Sequence, residues 1–518
     1  MHVGQRLPAI DATAYPYQGA VALVMFAVMF AIGACVFRDY GYPTDDGAEH
    51  YESLVAAKRI FAAFGHVPDQ LEKVADIDSF REKYYGTAIQ MVPTFAEIAF
   101  GLDASRDILL IRHMWTFLVY FASLICFYLL CLRLFPSRLY ACVGTLMIFL
   151  YPRFFAQSFY NIKDIGFCAL LTISLYACVV FLQQGRTSRH AICAGFVTAM
   201  AANSRFYALA LFAGVLFLMA VEDTAAPVPD HKKSKPYLVF ALAFFASFIA
   251  LTPASWSNPL AFPIDYVAHF VGYEGWNGSM LFDGQLFKKD AMPRYYVPTW
   301  YAISVPVAYI LFFLLGIFAL AKKAVSGEKF LVSPGNTIPY FLAALFFLPI
   351  AATILKRGLL YIEWRHLYFT FPLFVIVALT GLKLTLERAT TTFAVAALAL
   401  VSLSLLSQAF WIARNHPYEY AYLNIVGRQF GDRFDRDYWG LCQKQLLEWL
   451  AGNAGQTPIK VAYVAGPQGS HLIFPDDMIP TAARRRAPNS YRIAIARVSS
   501  TAAIAEPASG WPPHARAT

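Results

Sequence analysis

Residues 19–37, Gly19-Ala20-Val21-Ala22-Leu23-Val24-Met25-Phe26-Ala27-Val28-Met29-Phe30-Ala31-Ile32-Gly33-Ala34-Cys35-Val36-Phe37, form an oily run that leads within a few residues to Tyr42-Pro43-Thr44-Asp45-Asp46-Gly47-Ala48-Glu49-His50. A helix that crosses a bilayer needs about 20 mostly apolar residues, so the first stretch reads as a span and the second places two adjacent carboxylates at a membrane surface. The oily pattern recurs along the chain. Of its 518 residues, 58% are hydrophobic and 14% charged, and the mean hydropathy is +0.49, which excludes an ordinary soluble globular protein. Roughly eleven spans are expected, near 19–37, 107–132, 139–154, 164–182, 190–203, 205–221, 236–254, 300–321, 336–355, 366–382 and 391–411. The fold class read from this pattern is an all-α polytopic membrane protein, with residues 1–411 as its transmembrane unit.

Lys and Arg beside short loops are retained on the cytoplasmic side. Arg133 and Arg138, Arg186 and Arg189, Lys232, Lys233 and Lys235, Lys322, Lys323 and Lys329, and Lys383 and Arg388 fall in alternate connections. Those connections are therefore assigned inside, together with the N-terminus, in a plasma (inner) membrane. Residues 38–106 and 255–299 and the tail after 411 are assigned outside. The first span reads as retained rather than as a cleaved signal, because its apolar stretch is long and only Arg6 precedes it as a strong cation. Seven of the eight cysteines lie in or near apolar spans, leaving Cys442 in the tail, so they read as small side chains rather than a disulfide framework. The net charge of +9 is spread among loops, which fits topology and anionic headgroups and gives no nucleic-acid footprint.

In the first external loop, Leu54, Val55, Lys58, Ile60 and Phe61 recur at helical spacing, which predicts amphipathic helix lying along the membrane. The second loop carries Trp256, Pro259, Phe262, Pro263, Tyr266, Phe270, Trp276, Tyr295, Tyr296 and Trp300, the composition of an interfacial layer. Residues 412–518 are more polar, helix-like over 442–450 and strand-like over 458–466 and 491–499, predicting a small extracytoplasmic α/β domain. No internal repeat is visible, which argues against a transporter built from inverted halves.

Ionisable residues distant in sequence share one expected depth: Asp45, Asp46 and His50; Glu82 and Lys83; Lys163 and Asp164; Arg205; Lys356, Arg357, Glu363, Arg365 and His366. Charges at a bilayer edge are costly and usually line a polar cavity. Plainer readings exist for each group. Asp45 or Asp46 could cap a helix, Lys163 could pair with lipid phosphate, and Arg365 could snorkel beside aromatics. The functional reading is that one acid of the pair, its pKa raised by its neighbour, deprotonates a hydroxyl while the other holds substrate or a metal.

The order of these pieces resembles the GT-C membrane glycosyltransferases, in particular the bacterial branch of protein O-mannosyltransferases and lipid A aminoarabinose transferase. The resemblance is carried by Thr44-Asp45-Asp46, Glu82-Lys83-Tyr84-Tyr85-Gly86, Tyr151-Pro152-Arg153-Phe154-Phe155 through Asn161-Ile162-Lys163-Asp164, Arg365-His366-Leu367-Tyr368, His416-Pro417-Tyr418-Glu419-Tyr420 and Asp437-Tyr438-Trp439-Gly440. It implies a sugar donor carried on polyprenyl phosphate, and a glycan, lipid or protein hydroxyl as acceptor. It also implies a catalytic base at Asp45 or Asp46, and Asp164 as a supporting acid. Lys83 matches a lysine that contacts the carrier phosphate in the aminoarabinose enzyme, which has prolines where this chain has Tyr84-Tyr85-Gly86. His50, Tyr85, Lys163, Arg205, Arg365 and His366 complete the expected substrate-binding set.

The residue types suit that chemistry. A displacement at the anomeric carbon needs one base for the acceptor hydroxyl, and cations to stabilise the departing phosphate. A single such step inverts the anomeric centre. No dense carboxylate loop of calcium type is present, so the reaction reads as metal-independent, with a divalent ion at the acids left open. A transporter or an envelope-assembly protein remains the alternative reading.

Overall fold

A computed structural model describes residues 16–224, 234–272, 278–288, 291–326, 334–356, 360 and 362–453. Its helices run in the order α1 Pro16–Val36, α2 Asp46–Ala63, α3 Met91–Phe100, α4 Ser105–Leu134, α5 Arg138–Phe149, α6 Pro152–Tyr160, α7 Asp164–Gln183, α8 Ser188–Ser204 and α9 Ala208–Thr224. They continue with α10 Ser234–Leu251, α11 Phe262–Val271, α12 Tyr296–Ser304, α13 Val307–Val325, α14 Pro334–Lys356, α15 Phe371–Arg388, α16 Thr391–Asn415 and α17 Gln443–Asn453. Among the described residues, eight helices are long and apolar enough to cross a membrane, or up to nine if one bent pair is a single span. The bent pair is α5 and α6, which meet at 66°; Pro152 starts α6 and disfavours helical backbone in the residue before it. The other two of the eleven predicted spans are α8 and α9, of 17 residues each, about 26 Å long and short for a hydrocarbon core. The span expected over 300–321 is likewise interrupted, where Pro306 separates α12 from α13.

Inside a bilayer, helix association relies on close packing rather than on water exclusion, and α13 with α15 shows how it is reached. A Cβ on Gly316 would lie 1.9 Å from the Val377 carbonyl oxygen, and one on Gly381 2.0 Å from that of Phe312. Each helix thus offers a glycine notch to the other's backbone. Helices α7 and α15 are central and largely buried, whereas α1, α10, α14 and α16 are peripheral. The peripheral surface is oily: Leu23 is 72% and Leu403 65% exposed, as expected of helices solvated by lipid.

The connections carry the remaining structure. The predicted amphipathic helix is α2, with Val55 buried and Leu54, Ile60 and Phe61 packed against the core. Two strands, β1 Ser279–Phe282 and β2 Gln285–Lys288, pair antiparallel, an element the sequence reading did not anticipate. Asp283 and Gly284 between them have φ of 52° and 76°, the left-handed pair that an Asp-Gly hairpin turn favours. The described tail is helical and packs onto the body: the Asp435 amide donates to the Leu281 carbonyl and Arg153 Nε to that of Tyr422. The α/β character expected of 412–518 is not seen over 412–453. The predicted strands at 458–466 and 491–499 lie outside the described residues, as do Arg6, Lys232, Lys233, Trp276, Lys329 and Arg357.

Candidate active site

The end of the bundle where α1 and α8 finish and α7 and the Arg365 segment begin gathers most of the predicted residues. Asp45 directly precedes α2 yet makes no capping hydrogen bond, so its carboxylate is available for distant partners. Arg365 Nη1 donates to Asp45 Oδ2 at 2.8 Å, and the Tyr438 hydroxyl donates to Asp45 Oδ1 at 2.5 Å. Arg365 Nη1 also lies 3.8 Å from Asp164 Oδ2, and Arg205 pairs with Asp164 Oδ1. The chain of contacts from Asp45 through Arg365 and Asp164 to Arg205 therefore alternates in sign. His366 sits close enough to Asp164 to act on its charge.

Local structure aims these groups. Asp164 opens α7, where unpaired N–H groups favour an anion; its amide donates to Asn161 Oδ1 and its carboxylate accepts from Asn161 Nδ2. Ile362 and Glu363 both have φ of 57°, an unfavourable left-handed pair just before Arg365. It is held by the Tyr296 hydroxyl donating to the Glu363 carbonyl and by the buried pairing of the Glu363 carboxylate with Arg153. The Arg365 guanidinium lies over the rings of Tyr438 and Trp439, 4.4 Å and 5.1 Å from their centroids.

Beside this chain, Lys163 Nζ lies 3.4 Å from both Glu52 oxygens and 4.0 Å above the Tyr85 ring. Glu52, Glu82, Lys83, Tyr85 and Asn203 line an open cleft next to it. Lys83 is less committed: Nζ donates to the Asp78 carbonyl at 3.1 Å.

Three predicted members lie elsewhere. Asp46 accepts from Arg112 Nε at 3.0 Å inside the bundle, and Arg112 also donates to Gln90. His50 Nε2 lies 2.6 Å from Glu97 Oε2 of α3. Lys356 sits exposed at the end of α14.

The electrostatics also depart from expectation. Burial would raise the Asp45 carboxyl, but Arg365, Tyr438 and Lys163 outweigh it and hold Asp45 below its ordinary value. Glu49 is pushed up instead, to about 8, because burial and the nearby Asp45, Glu52 and Asp46 charges outweigh Lys163, and burial raises Glu52 as well. Adjacent carboxylates do raise a pKa here, on a residue outside the predicted pair. Tyr438 and Arg112 were also missed. The Asp437-Tyr438-Trp439-Gly440 motif marked the first without giving it a role, and a charge two turns inside an apolar run marked the second. Among the described residues, no three His, Cys, Asp or Glu side chains gather as a metal would require.

No family model matches the sequence, and no curated protein matches it. The fold is similar to the apo crystal structure of the Archaeoglobus fulgidus oligosaccharyltransferase, with a TM-score of 0.50 and 12% identity over 94% of this chain and 62% of that one. The oligosaccharyltransferase AglB from the same organism, in complex with an inhibitory peptide and a dolichol-phosphate, aligns at a TM-score of 0.49 and 11% identity over 83% of this chain and 58% of that one. This chain spans about three fifths of the length of those proteins. At such identity the likeness is one of fold alone: a helical body with several apolar helices long enough to cross a membrane.

Proposed function

We propose that the protein is a membrane glycosyltransferase that moves a sugar from a polyprenyl-phosphate donor to a hydroxyl on a glycan, lipid or protein acceptor, on the extracytoplasmic side of the plasma membrane, as in the bacterial GT-C branch it resembles. The observation that carries this reading is the 2.8 Å contact between Asp45 and Arg365, with Asp164 and Arg205 continuing the chain. It sets a carboxylate beside cations that can receive a phosphate.

In this mechanism the donor phosphate takes up the charge of Arg365 and Arg205, assisted by Lys163, and Asp45 is released from its guanidinium. The released carboxylate becomes more basic and accepts the acceptor hydroxyl proton. The acceptor oxygen bonds to the anomeric carbon from one face while the bond to the phosphate oxygen breaks on the other, which inverts the configuration. Polyprenyl phosphate leaves with its negative charge held by arginines in a low-dielectric site. Asp164 keeps both arginines in place, and Lys83 and Tyr85 line the cleft beside Glu52, the partner of Lys163. Asp46 and His50 have structural partners and support the loop.

The test is mass spectrometry of lipid extracts from cells with and without the protein. Loss of the protein should cause one polyprenyl-phosphate sugar to accumulate, and restoring wild type but not Asp45→Asn should clear it. Identical lipid profiles in all strains would remove the proposal.

A further inference from the structure

We infer that Tyr438, from the segment after the last span, is a positioning residue of the active site, holding Asp45 through its hydroxyl and Arg365 through its ring. This inference rests on the transferase reading for its catalytic consequence, but not for its geometry. The two contacts come from different parts of one side chain: the hydroxyl donates to Asp45 Oδ1, while the Arg365 guanidinium lies over the ring face. Asp45 and Arg365 bond to each other as well, so the three groups close a triangle.

The backbone around Tyr438 is fixed to the same loop. Thr44 Oγ1 donates to the Tyr438 carbonyl at 2.8 Å, and the Gly440 amide donates to Asp437 Oδ1 at 2.9 Å. Lys444 Nζ donates to the carbonyls of Arg38 and Asp39. Gly41 completes the seam, since a Cβ there would lie 2.8 Å from the Leu441 carbonyl oxygen. Trp439, buried and within 5.1 Å of the guanidinium carbon, backs the arrangement. Residues 438–444 thus form one wall of the site and fix the acid loop 38–45.

The two functions of Tyr438 are separable. Its hydroxyl favours the ionised form of Asp45, and its ring presents a negative face to Arg365. Besides Tyr438, the charged groups acting on Asp45 are Arg365 and Lys163, with the acids Asp46, Glu49 and Glu52 on α2 nearby. Tyr438→Phe removes the hydroxyl alone, whereas Tyr438→Leu also removes the aromatic face.

The experiment is a pH titration of the Asp45 carboxyl by infrared difference spectroscopy on the full chain in nanodiscs, with Asp45→Asn identifying the band. It is paired with the pH profile of sugar transfer. Tyr438→Phe should raise the Asp45 midpoint by about one pH unit and carry the acid limb of the rate profile upward with it, leaving the donor KM unchanged. Tyr438→Leu should raise the donor KM as well. An Asp45 midpoint that does not move in Tyr438→Phe overturns the inference, whatever the activity. A shifted midpoint in a protein that transfers no sugar leaves the positioning intact and removes the transferase reading instead.

Discussion

Asp45 and Asp46 are adjacent, yet replacing each by Asn should give opposite results. Asp46 pairs with Arg112, whose side chain is 3% exposed while that of Asp46 is 8% exposed. The Asn amide oxygen can still accept from Arg112 Nε, as Gln90 does from Nη2 at 3.2 Å, but the buried guanidinium loses its counter-charge. Breaking a buried pair in this way costs about 3–5 kcal/mol. We place Asp46→Asn at the lower end, about 3 kcal/mol, because the amide keeps an acceptor for Arg112 and Glu97 also acts on it. Asp45 is 27% exposed, and Arg365 would keep Asp164 and two aromatic rings, so Asp45→Asn should change stability by less than about 1 kcal/mol. Its effect on rate should be large, about 10²–10⁴-fold, since an amide cannot take up the acceptor proton. The assay is thermal unfolding in detergent beside initial transfer rates for wild type, Asp45→Asn, Asp46→Asn and Asp46→Asn/Arg112→Gln. Removing both charges should recover part of the lost stability. The reasoning is refuted if Asp45→Asn unfolds the protein as readily as Asp46→Asn, or if Asp46→Asn stops transfer at undiminished stability.

Arg365→Ala should slow transfer about 10²–10³-fold, as loss of one charge-stabilising donor does, and weaken donor more than acceptor binding; initial rates against each substrate measure this. Glu49 is held neutral up to about 8 against an ordinary 4.5. Its folded pKa lies above its unfolded one, so its contribution to stability is full below about 4.5 and is lost as pH rises through about 8. Unfolding followed from pH 5 to 9 should show Glu49→Gln with a shallower decline than wild type, and equal slopes would remove that assignment. A Cβ at Gly86 would lie 1.7 Å from the Asn203 carbonyl oxygen. Gly86→Ala should therefore cost about 1–3 kcal/mol and shift the Lys83-Tyr84-Tyr85 segment, read as a lower melting point and altered donor KM.

Hydropathy located the helices well, because lipid leaves a chain little choice but apolar helix of a fixed length. Breaks at Pro152 and Pro306 were visible as residues, but a proline shows only that helical backbone is disfavoured, not whether the chain bends or continues. Asp45, Asp164, Arg205 and Arg365 could be brought together in thought because loop charge assigns all of them to one end of the bundle. The divergence of Asp45 from Asp46 could not be read, since it depends on Arg112, a charge inside a span that is tolerated only because its partner meets it there. Tyr438 was hidden for a related reason: its partner Asp45 lies 393 residues earlier, and a polar tail gives no periodicity from which to locate it.

The reaction proposed for this site cleaves the bond between a sugar and a lipid phosphate. Its most direct test is ³¹P NMR of the purified protein in liposomes containing polyprenyl-phosphate sugar and a hydroxyl acceptor. Wild type should convert the phosphodiester signal to that of the monoester as sugar appears on the acceptor, and Asp45→Asn should leave the diester intact. A diester that persists with the donor found to accumulate in the deletion strain, or conversion at the same rate in wild type and Asp45→Asn, would contradict the account.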